Sequence, residues 1–151
     1  MRIEYGKVVP EVYRAMMALE RQVQSSGLED SLLDLVKLRA SQINGCAFCI
    51  DMNAKDARAR GETEQRLYEL DAWREAPFYT ERERAALAWT EAVTLVTVGH
   101  VPDQIYDEAR MQFSDAELVN LSLAIVAING WNRLGIAFRA VPRGYSPHSG
   151  L

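Results

Sequence analysis

Two positions in this chain of 151 residues carry a complete helix-start signature, Thr80 with Glu83 and Ser114 with Glu117. Each pairs a hydroxyl that accepts from the third amide of a new helix with a carboxylate that reaches back to the first. Elsewhere apolar residues recur at helical spacing, and no stretch of useful length alternates apolar with polar residues as a half-buried strand does. The chain is therefore predicted to be all-α. Its length suits one domain over residues 1–151, a helical bundle around a single core.

Seven helices follow from the punctuation. Val12, Met16, Leu19 and Val23 form the stripe of a helix that opens at Pro10 and is interrupted by Ser25, Ser26 and Gly27. Leu28, Leu32, Leu35, Val36 and Leu38 carry a second helix toward the turn-forming pair Asn44 and Gly45. A third runs from Cys46 to Gly61, and a short fourth from Glu64 to Leu70, followed by a loop with Pro77. Thr80 opens a long helix expected to reach Gly99, Pro102 to Met111 reads as a short one, and Ser114 opens another that heads for Pro142. The tail from Pro142 to Leu151 is expected to be extended and poorly packed unless a partner holds it.

Composition excludes several function classes. With 48% hydrophobic and 25% charged residues the chain resembles an ordinary folded domain rather than a disordered one. A formal net charge of -4, with basic residues spread rather than blocked, argues against nucleic acid as a partner. The longest apolar stretch, Leu123 to Ile128, is far short of a membrane span, and residues 1–10 lack the apolar core of a leader, so no membrane partner and a cytoplasmic location are expected.

The chemistry-bearing feature is Cys46-Ala47-Phe48-Cys49, placed directly after a turn. Unpaired amides and the macrodipole at a helix start favour a thiolate, and two cysteines one turn apart can close a disulfide by exchange. Asn53 follows at the i+7 position on the same face. In a reducing compartment a pair this close reads as redox-active rather than as a structural staple. A structural zinc site needs about four ligands. No second cysteine pair exists, and His100 and His148 are distant in sequence. No metal or cofactor is expected, while two inert buried thiols remain a competing reading.

The run from Leu35 to Cys49 resembles the core motif of the alkylhydroperoxidase D-like (AhpD-like) proteins of the carboxymuconolactone decarboxylase superfamily. Gly61 to Leu67, Glu81 to Leu87 and Asn129 to Leu134 resemble segments of small single-domain members, so the likeness covers nearly the whole chain. The resemblance implies an all-helical subunit that forms homo-oligomers, commonly trimers or hexamers. It implies a peroxidase cycle in which Cys49 attacks a hydroperoxide, Cys46 resolves the sulfenic acid as a disulfide, and an external dithiol restores both. Helix-terminus physics alone favours the reverse assignment, since Cys46 lies nearer the positive end.

In the family pattern a glutamate twelve residues before the first cysteine and a histidine four after the second relay the proton; here those positions hold Asp34 and Asn53. Asp34 keeps the charge but reaches roughly 1.5 Å less, and Asn53 keeps hydrogen bonding while losing proton transfer. Asp34 reads equally as a complement to an early helical turn, and Asn53 as a solvated helix-face residue. Weak turnover is expected. A non-catalytic or redox-sensing oligomer is the alternative, and the lactone decarboxylase chemistry of the superfamily a second one. Glu91 and His100 stand as other candidate bases, Asn129, Trp131, Asn132 and Arg133 as groups paired across a helix or subunit contact.

Overall fold

The computed structural model describes residues 1–147; residues 148–151, with His148 and the end of the expected tail, lie outside the described residues. The elements are α1 (Tyr5–Val8), α2 (Pro10–Gln24), α3 (Asp30–Asn44), α4 (Ala47–Ala59), α5 (Glu64–Tyr68), a 3-10 turn (Leu70–Ala72), α6 (Glu81–Thr94), α7 (Asp103–Gln112) and α8 (Asp115–Ala137), with no strand among the described residues. The all-α expectation holds.

Both capping boxes form. Thr80 accepts from the Glu83 amide and Ser114 from the Glu117 amide, while each glutamate reaches back to its N-cap backbone. Arg82 then bridges Glu117 and Glu29, tying the starts of α8 and α3 to α6.

Helix α3 is the hub, packing against α4, α6 and α8. Its side chains are buried almost all round. One face, with Leu32, Leu33 and Val36, joins Val23, Ala86, Phe113, Leu121 and Ile125 in one cluster. The other, with Leu35 and Leu38, joins Leu70, Trp73, Tyr79 and Leu87 in a second. At about 1.5–3 kcal/mol per fully buried large apolar side chain, these two clusters are the main favourable term.

The structure departs from the sequence-based boundaries in four places. An additional short helix, α1, folds against the end of α8, where the Arg2 amide donates to the Phe138 carbonyl at 2.7 Å and Tyr5 stacks on Phe138. Helix α6 ends at Thr94 rather than Gly99; the apolar side chains of Leu95, Val96 and Val98 beyond it are exposed, so no burial holds a further turn. Helix α8 ends at Ala137, five residues before Pro142, with Arg139 at φ 53° turning the chain away. The tail is irregular as expected, but it is tied to α4: the Tyr145 hydroxyl donates to Asp56 at 2.5 Å and Lys55 donates to the Tyr145 carbonyl at 3.3 Å. No single helix among the described residues is long and apolar enough to cross a membrane.

Candidate active site

The site begins with the termination of α3. Gly45 adopts φ 68°, where a side chain is strained, and lets its amide bond the Gln42 carbonyl at 3.2 Å while the Cys46 amide bonds the Ser41 carbonyl at 3.1 Å. This Schellman arrangement satisfies the last carbonyls of α3 and makes the next residue the N-cap of a new helix. Cys46 is that residue: it N-caps α4, its Sγ accepting from the Cys49 amide at 3.4 Å. A single glycine thus joins two helices and presents the cysteine pair at a helix start.

The two sulfurs are joined as a disulfide across a Cα–Cα separation of 5.3 Å, and each cysteine is 2% exposed. Asn53 lies on the same buried face of α4, as its spacing predicts, and it is 5% exposed rather than solvated. Its Nδ2 donates to the Cys49 carbonyl at 2.8 Å and to Ser41 Oγ at 3.4 Å.

Ser41 is the centre of a polar chain that the sequence reading did not single out. Its hydroxyl accepts from Asn53 and from Asn132 at 3.0 Å, and donates to the Lys37 carbonyl at 2.8 Å. Asn44 donates to Asn132 Oδ1 at 2.9 Å and to Asn129 Oδ1 at 3.0 Å, and Asn129 in turn donates to Thr94 at 3.1 Å. Among the described residues a charge enters only at this outer end, where Arg133 donates to Asn129 Oδ1 at 2.9 Å. The expectation of pairing across helices agrees with this geometry for Asn129 and Asn132, and for Trp131, which donates to Glu20 of α2 at 3.1 Å, whereas Arg133 pairs within α8, with Asn129 one turn earlier. The available signal for Ser41 was a hydroxyl and an amide, Ser41 and Asn44, one turn apart at the end of a buried helix.

Asp34 is buried but drawn elsewhere. It accepts from Arg60, the C-cap of α4, at 2.9 Å. Eleven residues of helix, on the order of 16 Å, separate Arg60 from Cys49. No hydrogen bond among the described residues joins Asp34 to Asn53 or to either cysteine. Burial pushes its carboxyl up to about 6, against the attraction of Arg60 and Lys37.

The other candidate bases are also placed. Burial raises the Glu91 carboxyl, but hydrogen bonds from Trp73 and Arg74 and the charges of Arg74 and Arg39 outweigh it and hold the group below the usual carboxylate range. Its oxygens accept from Arg39 at 3.0 Å, Trp73 at 2.8 Å and Arg74 at 2.5 Å. That is a structural ion cluster. His100 is exposed, at φ 49° in the turn after α6.

Helix α3 closing on a glycine into a dithiol-capped α4, crossed by α8, defines the class of all-helical AhpD-like dithiol proteins. The chain belongs to the carboxymuconolactone decarboxylase family, whose sequence profile matches residues 10–92. Uncharacterized protein YdfG of Bacillus subtilis (strain 168) is 45% identical over 136 residues, spanning 90% of this chain and 92% of its own length. The crystal structure of ATU0492 from Agrobacterium tumefaciens, a protein of unknown function described as a candidate AhpD antioxidant defence protein, superposes with a TM-score of 0.92 at 49% identity, covering 95% of this chain and 99% of that one. The debrominase Bmp8, in complex with 2,3,4-tribromopyrrole, shares the fold at a TM-score of 0.82 and 19% identity, over 91% of this chain and 74% of that one.

Proposed function

We propose that this protein is a thiol-dependent peroxidase or dithiol oxidoreductase that works through Cys46 and Cys49. The observation that carries the reading is the pair itself, one turn apart at the start of α4 and already within bonding distance. Cys49 thiolate attacks the distal oxygen of a hydroperoxide; the O–O bond breaks, an alcohol leaves after protonation, and Cys49 becomes a sulfenic acid. Cys46 thiolate then attacks the Cys49 sulfur, forming the S–S bond and releasing water after protonation. An external dithiol returns two electrons and two protons and leaves as its own disulfide.

Turnover is slow in this reading. A free thiol with a pKa of about 8.5 is only a few per cent ionised at neutral pH, and a helix start supplies about 0.3–1 kcal/mol where one unit requires about 1.4. Among the described residues no carboxylate or imidazole hydrogen-bonds to Asn53, Ser41 or Asn132. The test is steady-state reduction of an organic hydroperoxide with a dithiol donor. Turnover lost in Cys49→Ser, with a trappable sulfenic acid in Cys46→Ser, supports the assignment; a sulfenic acid that forms on Cys46 in Cys49→Ser reverses the two roles.

A second reading, a redox-sensing or non-catalytic homo-oligomer, is favoured by the near-complete burial of both sulfurs. A single stoichiometric oxidation without turnover, accompanied by a change in oligomeric state in light scattering, distinguishes it.

A further inference from the structure

Gly135 lies two residues before the end of α8, where that helix crosses the start of α4. Its backbone does not require glycine, since its φ is not in the left-handed region, and a helical glycine is about 1 kcal/mol less favourable than alanine. What it provides is space. A Cβ built on Gly135 would stand 3.1 Å from Cys46 Sγ and 3.5 Å from Cys49 Sγ.

We infer that Gly135 is a positioning residue for the dithiol, its missing side chain leaving the room into which the sulfurs separate when the disulfide is reduced. Bonded sulfurs are about 2.0 Å apart, and once cleaved they must stand at van der Waals contact, beyond about 3.5 Å. At least one sulfur therefore moves by about 1.5 Å inside a site where both cysteines are 2% exposed. On the α4 side the Cys49 amide rests on Cys46 Sγ, and Asn53 holds the Cys49 carbonyl. The face toward α8 carries no side chain at Gly135. A methyl group there crowds the disulfide by a few tenths of an ångström and crowds the wider dithiol more.

The inference rests on the dithiol reading above, and the reaction it concerns is the reversible one. An external dithiol attacks, the Cys46–Cys49 bond breaks, two protons and two electrons reach the protein, and the donor departs as a disulfide.

The full chain, its Gly135→Ala variant and its Gly130→Ala variant are equilibrated anaerobically in graded mixtures of reduced and oxidised dithiothreitol, and the reduced fraction is read by alkylation and mass spectrometry. Gly130 is the matched control: a Cβ there meets the flexible end of Met16, at 2.9 Å from Cε, and no sulfur of the pair. Gly135→Ala is expected to shift the equilibrium toward the disulfide by about tenfold or more, with Gly130→Ala unchanged. An unshifted Gly135→Ala, or a shift toward the dithiol, overturns the inference while the natural pair still cycles. If the natural pair does not interconvert, the redox reading itself fails and the inference falls with it.

Thermal unfolding supplies a second test that does not need a well-folded redox pair. Gly135→Ala is expected to lower Tm less in a Cys46→Ala background, where the 3.1 Å conflict is gone, than in the natural chain. Equal losses in both backgrounds overturn the claim that Gly135 acts through the sulfur.

Discussion

Replacing Asp34 with asparagine should stabilise the protein at neutral pH and leave it unchanged in mild acid. Asp34 is 7% exposed, and burial pushes its carboxyl up to about 6 in spite of Arg60 at 2.9 Å. In the unfolded chain an aspartate titrates near 3.9. Between these values the folded state binds more protons than the unfolded one, so stability is greatest below pH 4 and falls as pH rises through 6, with a constant deficit above. Two units correspond to about 3 kcal/mol, and residual hydration of the Asp34 carboxyl, whose side chain is 10% exposed, reduces this to about 1–2 kcal/mol. The amide introduced by Asp34→Asn keeps an acceptor for Arg60 and removes the buried charge. Urea unfolding followed by circular dichroism, at one protein concentration and at pH values from 4 to 8, measures the difference. A variant that is less stable than the natural chain at pH 7.5, with the two curves converging only below pH 4, would show that the Arg60 ion pair outweighs burial and that the carboxyl is ionised as in an ordinary aspartate.

Ser41→Ala leaves the Asn53 and Asn132 amides without a shared acceptor and is expected to lose about 1–3 kcal/mol, read as a lower urea midpoint at unchanged slope. Glu91→Gln unbalances Arg39 and Arg74 and is expected to destabilise by about 2–4 kcal/mol, yet to leave the rate of Cys49 oxidation unchanged at a temperature where the variant is folded; a slower rate would make Glu91 the missing base. Asn53→His places a titratable group beside Cys49 and is expected to speed its oxidation by at least about tenfold in stopped-flow measurements, with the gain vanishing below pH 5 as the imidazole charges; equal rates at all pH values would remove position 53 from the proton path.

Local signals read directly from the chain were those that a few neighbouring residues complete. The capping boxes at Thr80 and Ser114 need only four residues each, and the Asn44-Gly45 turn followed by Cys46 fixes the α3–α4 junction within three. Features that depend on distant partners did not show. Helix α1 is four residues long and is held by Phe138, 133 positions beyond Tyr5. Asp34 and Arg60 are 26 positions apart, so a spacing that suggested a relay gave no sign that the carboxylate is claimed at the far end of α4. Ser41 looked like one more small residue of a buried helix, because its amide donors lie 12 and 91 positions away.

The site is asymmetric in a way that bears on which step it serves best. The sulfur that accepts a backbone amide and caps the helix is Cys46, so the helix start favours its thiolate over that of Cys49. Thiol exchange goes faster when the departing sulfur is the better thiolate. An incoming dithiol that attacks Cys49 therefore expels Cys46 as the stabilised leaving group. In the opposite direction the same thiolate is the ready nucleophile against a sulfenic acid on Cys49. Opening and closing the disulfide are both helped by the N-cap, whereas the first attack on peroxide by Cys49 gains only what the dipole leaves over one turn further in. The amides around Asn53 and Ser41 hold the backbone of that turn in place and take no proton. In the proposed cycle this geometry predicts that exchange with an external dithiol is the fast half and peroxide reduction the slow half.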